Sequence, residues 1–91
     1  MPASFLFELL TPSEVLMREQ VQEITAPGSE GYFGVQPKHT YFVTKLKKGV
    51  ISVRWGNQSR QFDVDGGVIQ VTPDKVAVCA EKAELCKVKT A

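Results

Sequence analysis

The stretch TPDKVAVCA, at residues 72–80, combines a turn with the start of a strand. Threonine, proline and aspartate in succession are typical of a tight turn. Val76, Val78 and Ala80 then recur at every second position. Because side chains two residues apart lie on the same face of a strand, the stretch predicts a β-strand with one apolar face that begins directly after a turn.

The same alternation appears in the other apolar runs of the chain. These runs contain Phe5, Phe7 and Leu9; Ile51, Val53 and Trp55; and Phe62 with Val64. Turn-forming residues such as proline, glycine and asparagine separate the runs at intervals near ten residues. Short strands with this spacing are typical of an all-β sandwich or barrel.

Three segments depart from simple alternation. Residues 14–20 fit either a strand or a single helical turn, because they follow a threonine-proline break. The apolar positions change parity between Val21 and Ile24, which predicts a bulge or a change of face. Residues 81–89 are too short for an independently stable helix, so we expect a frayed tail or one helical turn there.

Length and charge limit the possible functions. A chain of 91 residues builds one compact domain with one core. Eleven basic residues against ten acidic residues leave a net charge of +1, which provides no general attraction for nucleic acid or anionic lipid. No run of about 18 apolar residues and no signal-peptide pattern occurs, so we expect a chain without its own membrane anchor.

The residues that could carry catalysis or bind a metal do not form a recognisable group. His39 is the only histidine and has no triad partner in a local motif, so a surface or interface role is expected. Asp63 and Asp65 lie opposite an apolar face and are expected to point to solvent. The spacing of Cys79 and Cys86 fits neither a redox pair nor half a zinc site. We therefore expect reduced thiols, Cys79 in the core, no metal and no catalytic site.

Glycine and lysine clusters have simple structural interpretations. The glycines at positions 28, 31 and 34 match no phosphate-binding motif and predict a tight loop. Lys45, Lys47 and Lys48 predict a charged hairpin tip. The alternative interpretation is that these lysines, together with Arg54 and Trp55, offer a basic and aromatic surface to single-stranded nucleic acid.

Residues 26–39, APGSEGYFGVQPKH, resemble the pattern Pro-Gly-x-Glu-Gly-x-(Phe/Leu)-Gly-(Val/Ile)-x-x-x-His of the epsilon subunit of bacterial F-type ATP synthases. Upstream, residues 7–14 (FELLTPSE) are similar to the opening strand and turn of that family. Downstream, residues 46–53 (LKKGVISV) resemble its hairpin, and residues 65–83 resemble its last strands and their exit. The motifs occur in the family's order from about Phe5 to Ala83, and this ordered set carries the resemblance.

The resemblance implies an all-β fold, a sandwich of two antiparallel sheets with about ten short strands. It implies a single domain over residues 1–91, with its core at about 5–83, a tail at 84–91 and no C-terminal helical hairpin. Most relatives continue into two helices, so the chain is either a naturally short subunit or a shortened one. One further departure is Tyr32, which stands where many relatives carry an acidic residue.

The implied function is that of a non-catalytic rotor subunit in the central stalk. It would link the gamma subunit to the c ring within the F-type ATP synthase and couple ion translocation to ATP synthesis. Neither a cofactor nor a nucleotide site nor nucleic acid is expected. The location implied is the cytoplasmic side of a bacterial inner membrane, reached only through partners.

The resemblance also implies two contact surfaces. The loop at residues 29–40 would face the c ring through Ser29, Glu30, Gly31, Tyr32, Lys38 and His39. The gamma-contacting residues would be Thr11, Phe42, Thr44 and Leu46. The alternative is a free-standing β-sandwich that binds a peptide, glycan or nucleic acid through exposed aromatics such as Tyr32, Tyr41 and Trp55.

Overall fold

A computed structural model describes residues 3–37 and 41–86. Within these residues the chain forms eight strands and no helix. The strands are β1 (Phe5–Leu10), β2 (Val15–Val21), β3 (Glu23–Gly28), β4 (Gly31–Val35), β5 (Phe42–Lys45), β6 (Gly49–Trp55), β7 (Gln58–Thr72) and β8 (Lys75–Leu85). The all-β prediction is confirmed, but the described residues hold eight strands rather than about ten.

The strands follow the order β2-β1-β8-β7-β6-β3-β4, and β5 pairs with β7 beside this path. Pairing is antiparallel except between β1 and β8, which run parallel. The two long strands β7 and β8 each contribute to two sheets. Sheet A contains β2, β1, the first part of β8, the last part of β7 and β5. Sheet B contains β4, β3, β6, the first part of β7 and the last part of β8.

Two glycines let β7 pass from sheet B to sheet A. Gly66 and Gly67 have φ angles of 80° and 125°, which side-chain-bearing residues rarely adopt. A Cβ atom at Gly67 would overlap the carbonyl oxygen of Cys79 on β8. The buried positions of β7 change parity at this point, from Phe62 and Val64 to Ile69 and Val71. The glycines therefore permit the bend and the close packing that the sandwich requires.

The inner faces of both sheets contribute to one hydrophobic core, which establishes the sandwich. The alternating residues predicted to be internal are buried: Phe5, Phe7, Leu9, Ile51, Val53, Phe62, Val64, Val76, Val78 and Ala80. Trp55 is half-buried against this core, and the guanidinium carbon of Arg60 lies 5.5 Å from its ring centroid. Asp63 and Asp65 are exposed, as predicted.

Three local expectations are resolved or corrected. Residues 15–21 form strand β2 rather than a helical turn, and the parity change falls at the break between β2 and β3. Strand β8 continues to Leu85, and the N–H of Cys86 donates to the carbonyl of Gln61 at 2.8 Å, so residues 81–86 are neither frayed nor helical. The rest of that segment, residues 87–89, lies outside the described residues. The predicted core position of Cys79 is wrong, because its neighbours Val78 and Ala80 occupy the inner face and Cys79 is exposed.

Candidate functional site

The hairpin of β3 and β4 carries the loop that the sequence singles out. Ser29 and Glu30 form its exposed tip, between the paired residues Gly28 and Gly31. Gly31 has a φ angle of 125°, which explains the need for glycine at the turn. The Ser29 and Thr44 hydroxyl oxygens lie 3.2 Å apart. This hydrogen bond connects the hairpin tip to β5.

The Tyr32 hydroxyl reaches the start of β6, although 62% of the residue's surface is exposed. Its hydroxyl oxygen accepts a hydrogen bond from the N–H of Val50 at 3.0 Å. A Cβ atom at Gly49 would collide with the same hydroxyl and lie 2.9 Å from the Pro27 Cβ. The hydroxyl is therefore engaged within the chain, and the ring surface is the part that a partner can contact.

A shallow cleft of about 310 Å³ lies between the hairpin and β5. The rings of Phe33 and Phe42 meet there edge to face, with centroids 5.2 Å apart. The cleft collects five of the predicted contact residues, from both the c-ring and the gamma sets: Glu30, Gly31, Tyr32, Phe42 and Thr44. Lys38 and His39 lie outside the described residues. The structure thus brings parts of the two predicted surfaces together.

The other two predicted gamma contacts are separated from this cleft. Leu46 is only 5% exposed and belongs to the core, and its N–H donates to the carbonyl of Gly67 at 2.9 Å. Thr11 lies at the turn between β1 and β2, where its N–H donates to the carbonyl of Glu14 at 2.9 Å. Thr11 borders a groove of about 340 Å³ that includes Leu10 and Cys79.

That groove adjoins an apolar strip on the outer face of sheet A. Strand register aligns Val15, Leu10, Cys79, Val68 and Lys45 across β2, β1, β8, β7 and β5. Val43 lies two residues before Lys45 and faces the same side. We call Val15, Leu10, Cys79, Val68 and Val43 the outer strip.

The outer strip is accessible to solvent. Val15 is 54% exposed, Val68 44% and Val43 63%, whereas the core residues beneath them are almost fully buried. Single exposed apolar residues are common, but a row of aligned ones is typical of a surface that binds another protein. The strip therefore provides an interface-like surface on sheet A.

A charged cluster borders this strip. The carboxylate of Glu8, in a side chain only 11% exposed, lies 2.8 Å from Arg18 Nε and 3.0 Å from Lys75 Nζ. The hydrogen bond from Lys75 is the main reason that the pKa of Glu8 lies below its ordinary value, and Arg18 acts in the same direction. The cluster ties β2, β1 and β8 together beside the apolar row.

Three further observations concern metal ligands, thiols and membrane spans. In residues 3–37 and 41–86, three or more histidine, cysteine or acidic side chains do not come together in a way that could hold a metal. Burial raises the pKa of the Cys86 thiol, with a further contribution from Asp63. The part of the chain that is described has no helix long and apolar enough to cross a membrane.

Comparison with known families and sequences gives consistent matches. The model of the family described as ATP synthase, Delta/Epsilon chain, beta-sandwich domain matches residues 4–86. The ATP synthase epsilon chains of Chelativorans sp. and Desulfatibacillum aliphaticivorans are 40% and 41% identical over 88 and 85 residues. These alignments cover 96% and 92% of this chain but only 65% and 60% of the relatives, so the chain spans about three fifths of their length.

A shorter relative and two solved structures extend the comparison. The epsilon chain of Caulobacter vibrioides is 37% identical over 81 residues, covering 89% of this chain and 94% of that relative. A chain in the cryo-EM structure of the Euglena gracilis mitochondrial ATP synthase (OSCP/F1/c-ring) matches with a TM-score of 0.86 and 28% identity, over 93% of this chain and 55% of that one. A chain of the Tetrahymena thermophila central stalk/c-ring shares the fold, with a TM-score of 0.76 and 21% identity over 90% and 66% of the two chains.

Proposed function

The chain belongs to the family of β-sandwich domains of ATP synthase delta/epsilon chains, and we propose on this basis that it is a non-catalytic subunit of the central stalk of an F-type ATP synthase. In this role it links the gamma subunit to the c ring and helps to couple ion translocation to ATP synthesis. The observation that carries the proposal is the family match over residues 4–86, together with the accessible apolar strip on sheet A.

The gamma subunit would bind the outer strip. A joint that transmits torque needs a stable contact, and stable interfaces have an apolar, well-packed centre. Val68 and Cys79 supply such a centre, and Thr11 lies at the border of the adjacent groove. Of the gamma contacts predicted from sequence, Thr11 borders this surface, whereas Leu46 lies in the core. Phe42 and Thr44 instead line the cleft beside the hairpin tip.

The c ring would bind the hairpin tip. Ser29 and Glu30 are exposed there on a tight turn, so a partner can reach them without rearrangement of the core. Glu30 can pair with a basic side chain of the ring, and the Tyr32 ring adds apolar area. Because the turn is tight and bonded to β5, little conformational entropy is lost on docking.

The proposed location is the cytoplasmic side of a bacterial inner membrane. The chain would be held there by the gamma subunit and the c ring, because its formal net charge of +1 provides little attraction to an anionic bilayer. Flotation with protein-free liposomes would contradict this part of the proposal. Recovery in the membrane fraction only when the rest of the complex is present would support it.

The test is co-elution with the gamma subunit encoded in the same genome. Gel filtration of the two purified proteins at micromolar concentration should yield a one-to-one complex that survives moderate salt. Failure to form a complex, with both proteins folded, would contradict the proposal and favour a free-standing binding module instead. An unrelated β-sandwich of similar size serves as the control for non-specific association.

A further inference from the structure

The cluster of Glu8, Arg18 and Lys75 lies on the same side of sheet A as the outer strip. Glu8 pairs in register with Arg18 on β2 and with Ala77 on β8. The next row contains Leu10 and Cys79, which belong to the strip. The outer strip and the charged cluster therefore form one continuous surface.

The cluster has an excess of positive charge and spare hydrogen-bond donors. One carboxylate faces two cations, which leaves a net charge of +1. Arg18 uses Nε for Glu8, and among the described residues its two terminal nitrogens have no partner. The Arg18 and Lys75 side chains are 59% and 45% exposed, whereas Glu8 is mostly covered. A partner would therefore meet N–H donors there rather than the carboxylate.

We propose that this cluster is a charge-selective docking point for a carboxylate of the gamma subunit. The inference rests on the proposed function and specifies the chemistry of the gamma surface: an apolar patch with an acidic residue at its edge. Lys45, which pairs with Val68 at the far edge of the outer strip, adds a second positive charge on the same face. Charges at the rim of an apolar interface govern partner choice and association rate more than total affinity.

Glu8 has a separate part in this arrangement. It holds Arg18 and Lys75 in place through bonds of 2.8 and 3.0 Å, so their remaining donors are positioned before the partner arrives. At the same time its negative charge reduces the attraction for an incoming carboxylate. Removing the charge of Glu8 and removing the charge of Arg18 should therefore change the association rate in opposite directions.

The experiment measures the association rate with purified gamma subunit by stopped-flow fluorescence at low and at physiological salt. Arg18→Gln and Lys75→Gln should each lower the rate at low salt by roughly two- to fivefold, and Glu8→Gln should raise it by a similar factor. These differences should shrink as salt is added. Arg18→Lys keeps the charge and should largely preserve the rate.

The matched control is Arg60→Gln, which makes the same change at an exposed site near Trp55, away from the outer strip. Its rate should equal that of the unmodified chain. Circular dichroism melting of each variant ensures that only folded protein is compared.

The possible failures are distinguishable. Loss of binding in Val68→Asp combined with unchanged rates in Arg18→Gln and Glu8→Gln would overturn the charge-selective role and leave the proposed function intact. The same would follow if Glu8→Gln and Arg18→Gln changed the rate in the same direction. Absence of gamma binding by the unmodified chain would instead overturn the proposed function and this inference with it.

Discussion

The hydroxyl oxygens of Ser29 and Thr44 lie 3.2 Å apart and fasten the tip of the β3–β4 hairpin to β5. Thr44 faces the cleft, whereas its neighbours Val43 and Lys45 face the outer side of sheet A. Strand β5 therefore belongs to both proposed interfaces.

Val68→Asp tests the outer strip. Placing a carboxylate at the centre of the proposed gamma interface should weaken binding by about tenfold or more, because the charge would lose its hydration within an apolar contact, a cost that Lys45, opposite it in register, offsets only in part. Val68 is exposed in the isolated chain, so the free energy of unfolding should change by no more than about 1 kcal/mol. Titration calorimetry with gamma measures the affinity. Ser59→Asp, on an exposed position of sheet B, is the control and should bind normally.

Glu30→Gln tests the hairpin tip. The change removes one exposed charge and should weaken capture of the chain–gamma complex by purified c ring, without affecting binding to gamma itself. Stability should change by no more than about 0.5 kcal/mol, because the site is exposed. Glu84→Gln makes the same change at an exposed position near the end of β8 and should leave capture intact. Equal capture of both variants by the ring would remove Glu30 from the interface.

Gly67→Ala tests the bend between the sheets. Its φ angle of 125° disfavours alanine, and the new Cβ would also collide with the backbone of Cys79 and lie 2.7 Å from the Ala80 Cα. Gly31→Ala is the matched control, because Gly31 has the same φ angle but open space around it. Backbone strain alone should lower the free energy of unfolding by about 1–3 kcal/mol in Gly31→Ala, and Gly67→Ala should lower it clearly more. Urea unfolding measures both, and equal losses would contradict the packing role.

The pH dependence of stability tests the Glu8 cluster. The pKa of Glu8 is lowered in the folded chain from its ordinary value of 4.5, chiefly by the hydrogen bond from Lys75. A carboxyl with a lowered folded-state pKa stabilises the fold above the unfolded-state pKa, and this stabilisation disappears as the pH falls through the folded-state value. Urea unfolding between pH 7 and 3 should therefore show a loss of stability below about pH 4.5 that is smaller in Glu8→Gln. Identical pH profiles for the unmodified chain and Glu8→Gln would contradict the stabilising role assigned to the Glu8 cluster. Glu30→Gln, which removes an exposed carboxyl, serves as the control.

Alternation predicted the core well because burial follows period two within each strand. Phe5, Phe7 and Leu9 were recognisable at once, since nothing but local sequence decides their shared face. The same rule places Cys79 outside, between Val78 and Ala80, but the low polarity of cysteine favoured a core position. The length of β7 was not predictable, because Gly66 and Gly67 indicated a turn that would end the strand. In the structure β7 continues through them, and β8 pairs with it on both sides of the two glycines.

The outer strip was not predictable from sequence because it depends on register between distant strands. Val15, Leu10, Cys79 and Val68 are brought together by four different strands, and each alone is an ordinary outward-facing residue. The hairpin tip, by contrast, is continuous in sequence, so a single motif was enough to propose its residues together. The burial of Leu46 was not predictable, because it lies just after β5, whose own residues are exposed or half-buried and reveal no core-facing side.

The most direct measurement is the labelling rate of Cys79 in a Cys86→Ser chain, with and without the gamma subunit. Cys79 is exposed at the centre of the outer strip, and Cys86 is the only other cysteine of the chain. The account predicts rapid reaction with a maleimide in the isolated chain and strong protection once gamma is bound. A complex with gamma in which Cys79 reacts as fast as in the free chain would contradict the assignment of this surface.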